Sequence, residues 1–278
     1  MSDQVFEGHP LLDPKALSHL LIAPTGLCWW CQQRPATTGE HKFKRTDLTR
    51  LMGDGGLLLW GQGEDIREIR GKSGVNRDRY GVIKFPKSLC EPCNNKASKP
   101  FDDAYEIYSK YVSETVLHRM PGVSLRHVYG HSWQASALNL ARYYGKHFGC
   151  RMAREGLPIP ESLRAFLGGE TDMTDAQMAV ITTDTIRKKY KSGFSISPNF
   201  VEVDKGVTRF ERYVFAAYVG PIGIRYEWNN GGMEGRSQFF HFPYPVINAF
   251  KDETAMFERR VRRPGLIASL LQWAQKPR

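Results

Sequence analysis

The sequence predicts an α+β fold in two regions, residues 1–120 and 121–278, and three patterns support this. Two Cys-x-x-Cys pairs enclose a long stretch rich in Gly, Arg and Lys. Apolar residues recur at helical spacing after residue 94 and again after residue 132, and alternating apolar runs start near residue 200. Helices followed by such runs predict an antiparallel sheet in the second region.

The first elements in chain order are a short helix and a loop-rich stretch. A helix is predicted around residues 15–22, because Pro24 and Gly26 follow it as they often follow a helix end. From Leu27 onward glycine-containing turns recur, so few core residues are expected there. Apolar residues three and four apart then predict an amphipathic helix within residues 99–117, which Pro121 and Gly122 terminate.

The second region begins with a helix and continues with strands. An apolar stripe over residues 132–154 predicts a helix that faces the core, and residues 172–191 fit either a helix or a strand. Three or four antiparallel strands joined by Gly and Asn turns are predicted at 200–203, 209–219, 223–230 and 237–247. A last helix at 254–274 is expected to carry a basic patch at 259–263.

Composition limits the classes of protein. No segment approaches the ~20 consecutive apolar residues of a membrane helix, and the N-terminus has no secretory signal, so a cytoplasmic protein without a membrane partner is expected. The formal net charge of +10 favours a polyanionic partner such as nucleic acid. Many soluble proteins are as basic without binding DNA, so charge supports this partner without establishing it.

Four of the five cysteines form a candidate metal site. Cys28 and Cys31 make one pair, Cys90 and Cys93 the other, and four thiolates at this spacing are typical of a closed, structural Zn²⁺ site. Such an ion would hold together the two ends of the insertion at residues 32–89. Cys150 remains, and we expect it to be a buried thiol.

Polar residues follow each cysteine pair. Glu40 and His41 come after the first pair, where a histidine beside an acid can serve as a general base, although a lone histidine is more often a surface or core residue. Asn94, Asn95 and Lys96 follow the second pair, where an amide oxygen can bind Mg²⁺ and a lysine can bind phosphate. The alternative for either asparagine is a helix cap.

The order of these motifs resembles the HNH (ββα-metal) endonuclease superfamily, in its zinc-bearing branch with a Cys-Asn-Asn motif. The resemblance covers residues 27–112. It implies a zinc-braced ββα-metal nuclease domain over residues 1–120. From its size alone, the α+β region over residues 121–278 is expected to be an accessory domain that binds substrate or a protein partner. His41 would be the general base, and Glu40 and Asn94 would hold a catalytic Mg²⁺ or Mn²⁺, with Asn95 also at the site. Glu40 stands where the family usually has Asp or His.

The sequence departs from the family at one position. The middle asparagine, which orients the base histidine, would fall near Phe85, where no asparagine occurs. Asn76, Asn95 or a backbone carbonyl could take its role, or catalysis is weak or lost.

The implied substrate is DNA, and a phage or bacterial defence system would suit the resemblance. Basic residues of the insertion and the following helix are candidate phosphate contacts, or else belong to a solvated surface. Four of them are assigned to nucleic-acid binding, namely Arg45, Lys84, Lys87 and Lys96, and the others are Arg50, Arg67, Arg70, Lys72, Arg77 and Arg79. The alternative function is a non-catalytic, zinc-braced module that binds nucleic acid, or binds a protein through aromatic residues at Phe239, Phe240, Phe242 and Tyr244.

Overall fold

The structure is a computed structural model that describes residues 5–6, 9–10, 14–53, 56–60, 67–70, 83–114, 122–171, 173, 175–183, 194–196, 200–220, 222–230 and 246–250. The α-helices of this part are α1 (Arg45–Met52), α2 (Lys99–Glu114), α3 (Leu125–Tyr129), α4 (Trp133–Glu155) and α5 (Glu161–Gly168). Its strands are β1 (Val5–Phe6), β2 (His9–Pro10), β3 (Leu57–Trp60), β4 (Arg67–Arg70), β5 (Gly122–Ser124), β6 (Ala176–Thr183), β7 (Phe194–Ile196), β8 (Phe200–Val203), β9 (Phe210–Val219), β10 (Ile222–Asn229) and β11 (Val246–Phe250). The mixture of helices and antiparallel sheets confirms the predicted α+β class.

The main sheet has the strand order β5-β11-β6-β10-β9-β7, and β8 also pairs with β9. Its pairs are antiparallel except that β11 runs parallel to β6. The runs predicted as strands at 200–203, 209–219 and 223–230 are β8, β9 and β10, and the ambiguous segment at 172–191 contains β6. Residues 237–245, with the aromatic cluster predicted there, and the predicted helix at 254–274 lie outside the described residues.

Helix α4 is the central element of the fold. Every residue from 143 to 152 is buried, so the helix is covered on all sides and not along one stripe as the sequence suggested. On one side Tyr143 stacks on Tyr105 of α2, with ring centroids 3.9 Å apart. On another, Phe148 stacks on Tyr226 of β10 at 5.1 Å. Residues on both sides of the predicted boundary at 120 thus share one hydrophobic cluster.

The segment with the first cysteine pair packs closely on α4. A Cβ atom added at Gly149 would lie 2.2 Å from the Trp29 side chain, so only glycine leaves room for this indole. The stretch also contributes more to the core than expected. Phe43, Leu48 and Ile83 are all buried in the common cluster.

The predicted helices differ from the observed ones mainly in their ends. The helix expected after Asn94 is α2, but a π-helical turn (Pro92–Ala97) precedes it, so the helical conformation begins before Asn94. The helix expected at 15–22 is a 3-10 helix (Pro14–Leu20). Helices α1 and α5 were not predicted, because each spans only two turns. Among the described residues, no helix combines the length and the apolar character needed to cross a membrane.

Two short extended segments lead into the turn that precedes α2. Residues near 38–42 run antiparallel to residues near 83–89, with bridges between Thr38 and Leu89 and between His41 and Lys84. The amide of Phe85 donates to the carbonyl of Glu40 at 2.8 Å. A Cβ atom at Gly39 would lie 2.4 Å from the Phe85 carbonyl oxygen, so glycine is required for this close approach.

Candidate metal centre and the buried charge cluster beside it

The four cysteines of the two pairs meet in one place. The Sγ atoms of Cys28, Cys31, Cys90 and Cys93 all lie within 4.8 Å of one another, and those of Cys31 and Cys90 are 3.8 Å apart. Four sulfurs about 2.3 Å from a tetrahedral zinc ion would be separated by about 3.8 Å. The cluster can therefore hold a metal ion and is compatible with structural zinc, as the cysteine spacing predicts.

Backbone hydrogen bonds fix both cysteine pairs. In the first, the amide of Cys28 donates to Arg34 and the amide of Gln32 donates to Cys28, with Gln32 in the left-handed region at φ 55°. In the second, the amide of Asn94 donates to the carbonyl of Cys90 at 3.0 Å, which starts the π-helical turn. The amide of Trp29 donates to Ser88 and so joins the two pairs.

The thiols differ in their acidity. Burial raises the pKa of Cys28, and burial together with the neighbouring thiols raises that of Cys93. Burial also raises the pKa of Cys31, but hydrogen bonds from the amides of Gln33 and Arg34 outweigh it and lower this pKa to about 7. A bound cation would displace the remaining thiol protons.

Cys150 lies outside this cluster. It is fully buried and free, and burial raises its pKa to about 12, so it is a neutral thiol. The prediction of a leftover buried thiol is confirmed.

A second cluster is built around Lys146 of α4. Its side chain is completely buried, and its Nζ lies 2.9 Å from Oε2 of Glu40 and 3.3 Å from Oδ2 of Asp102. Lys44 approaches the other oxygen of Asp102 at 3.0 Å. The two carboxylates and the two ammonium groups balance one another. We call Glu40, Lys44, Asp102 and Lys146 the charge cluster.

The charges of this cluster stabilise one another against burial. Burial lowers the pKa of Lys146, but Glu40 and Asp102 outweigh it and hold this pKa above its ordinary value. Burial likewise raises the pKa of Asp102, but Lys146 and Lys44 bring it below its ordinary value. Lys146 and Asp102 are therefore ionised at neutral pH, as buried charges are when each has a close partner.

His147 adjoins the charge cluster from the next position of α4. Its Nε2 is buried, makes no hydrogen bond, and lies 3.8 Å from Oε1 of Glu40. The ring packs on Tyr143, with centroids 4.5 Å apart, and meets Phe85 edge-on at 6.3 Å. Burial lowers the pKa of His147 to about 4 despite the nearby carboxylate, so the imidazole is neutral at pH 7.

The predicted site residues lie around this cluster in different environments. Glu40 belongs to it, and His41 is half-buried on the segment opposite Lys84. The side-chain Oδ1 of Asn94 is buried and makes no hydrogen bond, whereas Asn95 is exposed. Asn94 connects to the cluster through its carbonyl, which accepts from Ser98 Oγ at 2.5 Å, and Ser98 Oγ lies 3.2 Å from Lys146 Nζ.

The basic residues predicted to contact phosphates also differ in their exposure and in their ion pairs. Arg45, Lys87 and Lys96 are exposed and Lys84 is half-buried. The guanidinium of Arg50 instead binds Asp47 and Glu106, and so ties α1 to α2. Arg70 pairs with Glu68 on β4. The side chain of Arg67 and residues Lys72, Asn76, Arg77 and Arg79 lie outside what the structure describes.

Sequence reasoning missed Lys146 and His147. The signal available was a Lys-His pair inside an otherwise apolar helical run, YYGKHFGC, which is unusual for a core helix because lysine is almost never fully buried unless paired. Phe85, near which the nuclease resemblance would place a middle asparagine, is buried, and its ring meets His147 edge-on.

Compared with protein families, with curated proteins and with solved structures, the chain matches none.

Proposed function

We propose that the protein is a metal-dependent endonuclease of the HNH type that cleaves DNA. The observation that carries the proposal is the order of elements at the charge cluster. The segment of Glu40 and His41 pairs antiparallel with the segment of Lys84, and a helical stretch bearing Asn94 follows the second cysteine pair. Two extended segments and a helix in this order are what the ββα-metal resemblance leads one to expect.

Two donors suit a divalent ion. The carboxylate of Glu40 and the buried Oδ1 of Asn94, which makes no hydrogen bond in the structure, are oxygen ligands of the kind that Mg²⁺ and Mn²⁺ prefer. A buried polar atom without a partner is costly, and a ligand that contacts it removes that cost. When bound, the ion would stabilise negative charge on the phosphate and on the leaving 3′ oxygen.

The protein residues have separate roles in this proposal. His41 takes the proton from the attacking water, since imidazole is the commonest general base near neutral pH. Lys146 holds one oxygen of Glu40 and so orients the carboxylate. The exposed Arg45, Lys87 and Lys96 would contact phosphates, in line with the net charge of +10. We also propose Zn²⁺ as the structural ion of the four cysteines.

The alternative is a non-catalytic, zinc-braced binding module, and one observation favours it. We call residues 28–42, which contain the first cysteine pair and Glu40, the cysteine-bearing segment. The ion pair between Glu40 and Lys146 gives Glu40 a structural role in attaching this segment to α4. A binding module would use the same contact without any chemistry at His41.

The test is cleavage of supercoiled plasmid by the zinc-loaded protein, with and without Mg²⁺ or Mn²⁺. We expect metal-dependent nicking that falls by about 10²–10⁴-fold in His41→Ala, the usual contribution of a general base, with zinc content unchanged. His131→Ala, which removes an exposed histidine just before α4, serves as the matched control and should cleave normally. Absence of wild-type cleavage with zinc bound, or full activity in His41→Ala, would favour the binding module.

A further inference from the structure

We infer that His147 is a ligand of the divalent ion, and that Glu40 Oε1 and His147 Nε2 bind this ion together. The inference rests on the proposed function, because it concerns the same ion, and it adds a ligand from α4, which lies outside the segment that resembles a nuclease. It also changes the expected ion from Mg²⁺ to one that accepts nitrogen, such as Mn²⁺.

The first support is an orphaned polar atom that is directed at Glu40. His147 is 8% exposed, and its Nε2 is completely buried and makes no hydrogen bond. Oε1 of Glu40 lies 3.8 Å from it, which is too long for a hydrogen bond. A buried ring nitrogen in this state requires an explanation, and a bound cation between the two atoms supplies one.

The second support is the distance itself. Donor atoms about 2.1 Å from one ion are about 3.0 Å apart when adjacent in an octahedron and about 4.2 Å apart when opposite. The separation of 3.8 Å between Oε1 and Nε2 falls between these limits, so both atoms can contact one ion after a small adjustment.

The third support is the way Glu40 is held. Its Oε2 lies 2.9 Å from Lys146 Nζ, which leaves Oε1 facing His147. Ligating carboxylates commonly have such an outer partner, and here the ammonium charge is itself compensated by Asp102. Lys146 is therefore a positioning residue, and its presence does not remove the donor that faces His147.

The donor set determines which ion is expected. Imidazole nitrogen suits transition metals, whereas Mg²⁺ is usually bound through carboxylates, phosphates and water. Glu40 and His147 together with an amide oxygen from Asn94 are a nitrogen and oxygen set of the kind that Mn²⁺ accepts. Because the charge cluster is already balanced, the ion would keep much of its charge for an anionic ligand such as a phosphate.

The experiment measures Mn²⁺ binding directly on the full-length, zinc-loaded protein by electron paramagnetic resonance. We expect bound Mn²⁺ in the wild type to show ¹⁴N modulation in spin-echo spectra, because a histidine nitrogen is coordinated. In His147→Phe, which keeps an aromatic ring in the packing with Tyr143, the modulation should vanish and the dissociation constant should rise by more than about tenfold, since even outer partners contribute 10–100-fold.

Three controls make the result decisive. His131→Ala and His41→Ala should keep the nitrogen modulation, and circular dichroism with zinc content should show that His147→Phe is folded. Absence of Mn²⁺ binding, Mn²⁺ bound without nitrogen modulation, wild-type affinity in His147→Phe, or loss of the modulation in His41→Ala would each overturn the inference. Plasmid cleavage without a nitrogen ligand leaves the nuclease proposal standing, whereas a nitrogen-ligated ion without any cleavage overturns the nuclease and keeps the metal site.

Discussion

The cysteine cluster and the charge cluster both place polar groups in the protein interior, but they do so in different ways. The cysteine cluster gathers four groups of one kind, and burial raises the pKa of Cys28 and Cys93 among them. The charge cluster pairs groups of opposite sign, so that Lys146 and Asp102 stay ionised in the interior. The first could therefore carry several thiolates only with a bound cation, whereas the formal charges of the second balance one another without an added ion.

This difference predicts how each cluster fails. If the cysteine cluster holds the proposed structural ion, replacing one cysteine releases this ion and the two cysteine pairs lose their common link. Removing one member of the charge cluster leaves its partner buried without a counter-charge. The resulting loss of unfolding free energy should be smaller than that caused by losing a structural ion and larger than that caused by removing an exposed ion pair.

The largest effect is expected from Cys93→Ser. We expect zinc content to fall from about one ion per chain to none, with cooperative unfolding of the cysteine-bearing segment, because a structural zinc site contributes about 10–16 kcal/mol in isolated zinc-finger peptides. Metal analysis and thermal unfolding measure both. Cys150→Ala is the matched control, since it removes a buried thiol outside the cluster and should keep the ion. One zinc per chain in Cys93→Ser would mean that the proposed zinc site does not depend on Cys93.

An intermediate effect is expected from Lys146→Met, because the carboxylates of Glu40 and Asp102 lose their common partner. The free energy of unfolding should fall by about 3–5 kcal/mol in urea denaturation, with zinc still bound. Lys99→Met is the control, since its pair with Asp103 is exposed and should contribute at most about 1 kcal/mol.

A double variant sharpens this prediction. Adding Glu40→Gln to Lys146→Met removes one stranded charge and should restore part of the lost stability. If Lys146→Met were as stable as Lys99→Met, the charge cluster would not have the energetic role assigned to it.

The smallest effect is expected from Gly149→Ala, which tests the contact between α4 and the first cysteine pair. The added methyl group meets the Trp29 indole at 2.2 Å, so the indole must move and unfolding should become easier by about 1–3 kcal/mol. Gly168→Ala is the control, because no atom lies within 4 Å of its added Cβ and helix propensity favours alanine by at most about 1 kcal/mol. Equal unfolding free energies in the two variants would mean that Trp29 does not couple the cysteine-bearing segment to α4.

The sequence by itself determined the features that depend on short-range patterns. The spacing of the cysteines was sufficient to predict one metal site, because two Cys-x-x-Cys turns present their thiols in a fixed local geometry. Helical periodicity predicted α2 and α4, and alternation predicted β8, β9 and β10. Helix α1 was missed because it spans only two turns, and the hydrogen bonds that Tyr105 and Ser109 of α2 donate to its Asp47 are contacts that no local pattern indicates.

Only the tertiary structure decided what surrounds Glu40. The acid comes from one short segment, Asp102 from α2, and Lys146 and His147 from α4, which is buried on all sides. Their meeting depends on how α4 packs between the cysteine-bearing segment, α2 and the sheet, and no local spacing encodes that arrangement. A lysine and a histidine buried in an apolar helix indicate that polar or charged partner groups must lie nearby, because burying such side chains without partners is energetically costly. Which carboxylates those partners are could only be read from the packed structure.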